Sequence, residues 1–190
     1  MERDAAIHAL LDAELARREA PPMSFRAFQE DARFCDLCLS PLIAAIADAS
    51  CGVVPTTIDE EACQRHFGCT LDELPRAAAR TVVVRAGGRG GKTSRLMAPK
   101  ALHAAWTVPL PTLGPGEHGY ALLIAPDLSL ARQTFSFVRG YVEASPELSA
   151  ALVGEPTKEE LTLRRPDGQL VTVRCVAASR GGKGGRGKTL

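Results

Sequence analysis

The run Thr81-Val82-Val83-Val84-Arg85-Ala86-Gly87-Gly88-Arg89-Gly90-Gly91-Lys92-Thr93-Ser94 decides how the rest of the chain is read. Its first five residues form a β-branched stretch, long enough for a buried strand and too short for a helix. After Lys92, the residues Leu96, Met97, Ala101, Leu102, Ala105 and Trp106 recur at helical spacing. Between the two, glycines free the backbone so that several N–H groups can point at phosphate oxygens, an approach that side chains with a Cβ would crowd. The positive end of the following helix adds to the field. Lys92 would reach the β- and γ-phosphates, and the Thr93 hydroxyl is placed to ligate Mg²⁺. The pattern is a Walker A arrangement over Ala86, Gly87, Gly88, Arg89, Gly90, Gly91, Lys92 and Thr93, with Ala86 where the strict G-x-x-x-x-G-K-[ST] form has glycine. The bland alternative is a flexible glycine turn with a fortuitous Lys-Thr.

Downstream, residues 107–119 are proline-rich and read as a loop, Tyr120 to Ala125 as a second buried strand, and LSLARQTFSFVRGYVEA as a helix capped by Asp127. Strand, helix, strand and helix in that order predict a parallel sheet covered by helices. Leu161 to Arg165 and Gln169 to Val176 flank the turn Pro166-Asp167-Gly168 and predict a β-hairpin. Upstream, residues 2–19, Ser24 to about Cys35, LIAAIADA after Ser40-Pro41, a run starting near Thr57 or Asp59, and Leu71 to Ala79 all read as helices. Nothing there alternates with period two, so residues 1–75 are expected to form a helical subdomain.

The chain has 190 residues, 45% of them hydrophobic and 24% charged, which excludes a disordered or collagen-like polypeptide. No stretch reaches the about 20 apolar residues of a membrane span, and the first residues carry acids where a secretory signal carries bases, so a soluble protein inside a cell is expected. Residues 1–75 hold 6 Lys+Arg against 14 Asp+Glu, and residues 76–190 hold 17 against 8. The positive field gathers from Arg164 onward, and a polyanion is its natural partner. Cys35-x-x-Cys38 has metal-ligand spacing and His66 sits near Cys63 and Cys69, but no second C-x-x-C follows; buried core cysteines are the expectation. The four histidines have no partners at a recognisable spacing. A second literal match, Gly182 to Thr189, is followed only by Leu190, and its basic residues suit a nucleic-acid backbone as well as a nucleotide.

VVVRAGGRGGKTS, then YALLIAPDLSLARQTFSFVRGYVEASPEL, then a hairpin ending in VRCVAASRGGKGGRGKTL, resembles the N-terminal ATPase region of the large terminase subunit of tailed bacteriophages. FRAFQEDARFCDLCLSPLIAAIADAS is similar to that family's helical lead-in. The resemblance implies a P-loop NTPase with a RecA-like core over residues 76–190, preceded by a helical lid or linker over 1–75. It also implies an ATP- and Mg²⁺-dependent motor in the cytoplasm of a bacterial host, encoded by a phage or prophage. That motor would drive double-stranded DNA into a procapsid as a homo-oligomeric ring, alongside portal and small terminase subunits and away from any membrane. Lys92 would act on the phosphates, Thr93 on magnesium, and Arg89 as the residue that senses or stabilises the γ-phosphate. Arg180, Lys183, Arg186 and Lys188 fall in the family's Arg-Gly loop and are the expected DNA contacts. The acidic pair of Walker B, which would hold hydrated magnesium and polarise the attacking water, should come next and is absent from the 190 residues. The chain is therefore expected to be truncated before Walker B and to bind nucleotide without turnover. The competing expectations are another P-loop enzyme of the helicase or recombinase type, and a non-catalytic nucleic-acid-binding protein that uses the basic tail.

Overall fold

The computed structural model describes residues 23–88, 90–110, 113–114 and 116–178. The expected helix at 2–19, Arg89, and the whole basic tail with Arg180, Lys183, Arg186, Lys188 and the second glycine loop lie outside those residues. Helices begin where the sequence offers a cap. Ser24 Oγ accepts from the Ala27 N–H ahead of α1 (Phe25–Glu30), and Pro41 opens α2 (Pro41–Ser50). Asp59 caps α3 (Glu60–Phe67), which Gly68 ends in the left-handed conformation. The expected helix from Leu71 does not form. Thr70 is bonded to the Glu73 carboxylate and starts a single turn, but Pro75 has no N–H with which to continue it.

A long helical segment follows the glycine loop. Its first part, Lys92–Met97, is a π turn and the remainder is α4 (Ala98–Thr107). Then come β1 (Gly119–Ala125), α5 (Leu128–Ala144), the short α6 (Pro146–Ala150), β2 (Leu152–Val153), β3 (Glu160–Arg164) and β4 (Leu170–Ala177). The four strands make one sheet in the order β1-β4-β3-β2. Only β1 and β4 run parallel, with Leu123 beside Cys175; β3 and β4 form the expected hairpin, with Leu161 beside Val173. The sheet is thus mixed, and the parallel sheet expected from the sequence is corrected to an α/β arrangement with one parallel pair.

The larger correction concerns residues 81–85. They form no strand and pair with none of the described strands, and Val82, Val83 and Val84 are 47%, 78% and 37% exposed. β1 ends the sheet on this side, and a groove of about 500 Å³ separates its Ala121, Leu122 and Leu123 from Val82 and Val84. The β-branched run lacks the neighbouring strand that would turn its propensity into structure.

The core lies between the sheet and α4 and α5, where Leu102, Phe135, Val138, Leu161, Leu163, Val171 and Val173 are buried together. Phe28 and Phe34 from the α1 region enter the same core, their ring centroids 4.5 Å apart. Arg26 of α1 pairs with Asp48 of α2 at 3.0 Å. No helix among the described residues is long and apolar enough to cross a membrane.

Candidate phosphate-binding loop

Residues 86–93 reach their position through contacts on both sides. Upstream, Gly52 at φ 75° lets the backbone of Ala77 lie where a Cβ would stand 2.5 Å from it, and the Ala79 N–H donates to Ser50 at 3.1 Å. These contacts fasten the approach to the loop against the end of α2. Downstream, Leu96 packs with Phe25, Ile43 and Ala47, so the two leading helices grip the start of the loop's helix.

Within the loop the glycines differ in role. Gly91 adopts φ 73°, and a Cβ there would stand 3.2 Å from Arg95 Cδ and 3.6 Å from Ile43 Cδ1. Glycine is needed for the fold itself. Around Gly87 and Gly88, no atom of the described residues other than their chain neighbours lies within 4 Å of where a Cβ would be, so nothing among the described residues demands glycine there. Lys92 folds back along the loop, its Nζ donating to the carbonyls of Ala86 at 3.4 Å and Gly87 at 3.2 Å. Among the described residues no carboxylate lines the groove beside Lys92, whose walls include Phe25, Ile46, Val84, Met97 and Lys100. Lys100 is half-buried, and desolvation pulls its ammonium below the usual lysine range; Nζ sits 4.5 Å from the Phe25 ring centroid. Thr93 follows Lys92 in the first turn, half-buried.

That turn holds residues which the sequence reading passed over. In the π spacing the Ala98 N–H reaches the Thr93 carbonyl five residues back. The next residue, Pro99, is buried and has no N–H, so it can serve neither the Ser94 carbonyl in π spacing nor the Arg95 carbonyl in α spacing. Two side chains stand in: the Tyr141 hydroxyl of α5 donates to Ser94 at 2.8 Å, and Gln29 Nε2 of α1 donates to Arg95. Gln29 is 0% exposed and its Oε1 has no partner among the described residues, a burial that costs about 1–3 kcal/mol. The Arg95 guanidinium donates to the Cys38 carbonyl at 2.6 Å, tying the loop's helix to the chain before α2. A proline inside an otherwise helical spacing was the visible signal for these contacts; which side chains answer it depends on the tertiary fold.

Of the cysteines, Cys63 and Cys69 lie side by side, joined by a hydrogen bond. Burial pushes the Cys35 thiol up to about 12, Cys38 is exposed, and no group of three or more potential metal ligands gathers among the described residues. His103 is buried between Phe25 and Phe28, where Nε2 lies 2.8 Å from the Met23 carbonyl. Compared with known protein families, with curated proteins and with solved structures, the chain matches none.

Proposed function

We infer that residues 86–93 bind the phosphates of ATP with Mg²⁺, and that the chain is the ATPase region of a large terminase subunit that powers movement of double-stranded DNA into a procapsid. The observation that carries this reading is the form of the loop. A glycine in the left-handed conformation turns the chain into the start of a helix, the next two residues are Lys92 and Thr93, and among the described residues none beyond the chain neighbours crowds the space over Gly87 and Gly88. Helix-start amides and the Lys92 ammonium complement a polyphosphate. In this reading Lys92 releases the two loop carbonyls to meet the phosphates, and Arg89 supplies further positive charge. The Thr93 hydroxyl would hold magnesium, which neutralises phosphate charge when bound. The described residues bring no carboxylate to this side of the groove. Binding without appreciable hydrolysis is therefore the expected behaviour of the 190-residue chain.

The DNA partner rests on charge. The excess of basic residues beyond position 76, with Arg180, Lys183, Arg186 and Lys188 at its end, suits a phosphate backbone. Portal, small subunit and ring assembly enter through the resemblance of the sequence to terminases.

A thermal-unfolding scan with and without MgADP tests the nucleotide reading. Ligand at about 100 times Kd stabilises by about 2.7 kcal/mol, equivalent to a rise in Tm on the order of 5–10 °C for a chain of this size. Lys92→Ala is expected to abolish the rise while leaving the unliganded Tm unchanged. No rise in the wild-type chain rejects the reading in favour of a nucleic-acid-binding protein with a structural glycine loop.

A further inference from the structure

We propose that Gln29 and Tyr141 are positioning residues for the phosphate-binding loop: Tyr141 holds the first turn of its helix in the widened π register, Gln29 anchors that turn at Arg95, and together they set where Lys92 and Thr93 point. The inference rests on the nucleotide reading above and adds to it two residues far from the glycine motif.

The geometry points this way for three reasons. A π turn contains one residue more than an α turn, so relative to a continuous α-helix everything before it is rotated by one residue, roughly 100°. Lys92 and Thr93 open that turn, and their direction relative to α4 depends on its register. The register is also open to competition. In α spacing the Ala98 N–H would bond to Ser94 and leave Thr93, and the Ser94 carbonyl would then need no side-chain partner. In the register observed, Ala98 bonds to Thr93, and the Tyr141 hydroxyl takes Ser94 at 2.8 Å. Gln29 supplies the neighbouring Arg95 carbonyl, which Pro99 leaves without a backbone donor in α spacing, so this bond fixes the place of the turn and the Tyr141 bond its register. The two donors come from α5 and α1, so the placement of the turn depends on how both pack against it. Finally, the Gln29 amide is wholly buried with Oε1 unpaired among the described residues, and its contact with Arg95 is what its burial achieves.

The test is a crystal structure of Tyr141→Phe, which removes one oxygen from a half-buried side chain, together with MgADP titration of the wild type, Tyr141→Phe and Gln29→Leu. The expected result is a shift of residues 92–97 toward α spacing in Tyr141→Phe, with Ala98 N–H bonded to Ser94. MgADP affinity should fall about tenfold in each variant, while Tm changes little for Tyr141→Phe. A π turn that survives unchanged in Tyr141→Phe overturns the proposal. So does a wild-type MgADP affinity in both variants, even if Tm falls, because a purely structural role lowers stability without touching Kd. If the wild-type chain itself binds no MgADP, the nucleotide reading fails and takes the positioning role with it; the register seen in Tyr141→Phe then decides whether the hydroxyl holds the turn at all.

Discussion

Gly87 and Gly91 stand four residues apart in one loop, yet the structure gives them different reasons to be glycine. Gly91→Ala places a side chain at φ 73° with its Cβ 3.2 Å from Arg95 Cδ, and is expected to destabilise the fold by about 1–2 kcal/mol in urea titration. Gly87→Ala meets no atom of the described residues beyond its chain neighbours and should leave the urea midpoint unchanged. If the loop cradles phosphate, Gly87→Ala nevertheless weakens MgADP, because the new methyl group occupies the approach. Equal stability costs for the two would show that the loop conformation is other than described. His103 gives a second prediction at this scale. Burial, with a smaller push from Lys100, lowers its pKa to about 4 against the Met23 carbonyl contact that favours charge. The unfolded chain then binds a proton between about pH 6.5 and pH 4 that the folded chain refuses, so this group's contribution is present above pH 6.5 and is lost as pH falls toward 4. The loss is up to about 3 kcal/mol at about 1.4 kcal/mol per unit. Urea unfolding at pH 7 and pH 4.5 should show a smaller drop for His103→Gln than for the wild type; equal drops contradict the assignment.

Elements with local chemistry of their own were legible in the sequence. Asp59 and Asp127 cap their helices by accepting from Ala62 and Leu130 at 2.8 Å, and the Asp167-Gly168 turn closes the hairpin with Gly168 at φ 84°. Elements that depend on a partner elsewhere were not. Thr81–Arg85 has the composition of a strand, but the edge of β1 lies across a groove, and no residue within the run reveals that. Pro99 signalled a break in the helix after Lys92, but the widened turn itself was hidden, since the side chain that answers Ser94 comes from α5. Val83→Asp tests the correction: at 78% exposure it is expected to change stability by no more than about 0.5 kcal/mol, whereas a buried strand would lose several. A large loss, read as a lowered urea midpoint, would restore the buried strand.

Across the molecule, the leading helices and the α/β part share one hydrophobic core through Phe28 and Phe34, and α1, α2 and α5 all hold the helix that carries Lys92. A ligand on the loop is therefore expected to be felt in elements distant in sequence, since Gln29 and Tyr141 bond directly to the loop's helix. In the proposed reading the basic C-terminal end binds DNA on the same chain, and nucleotide and DNA are coupled through the loop's surroundings. That coupling depends on the loop holding phosphate in the first place. Titration of MgADP into the isotope-labelled chain, followed through its backbone amide NMR signals, tests this most directly. The account predicts that the largest shifts fall on Gly87, Gly88, Gly90, Gly91, Lys92 and Thr93, and that Lys92→Ala removes them. Saturating MgADP that leaves these amides unmoved, or shifts concentrated elsewhere, would contradict it.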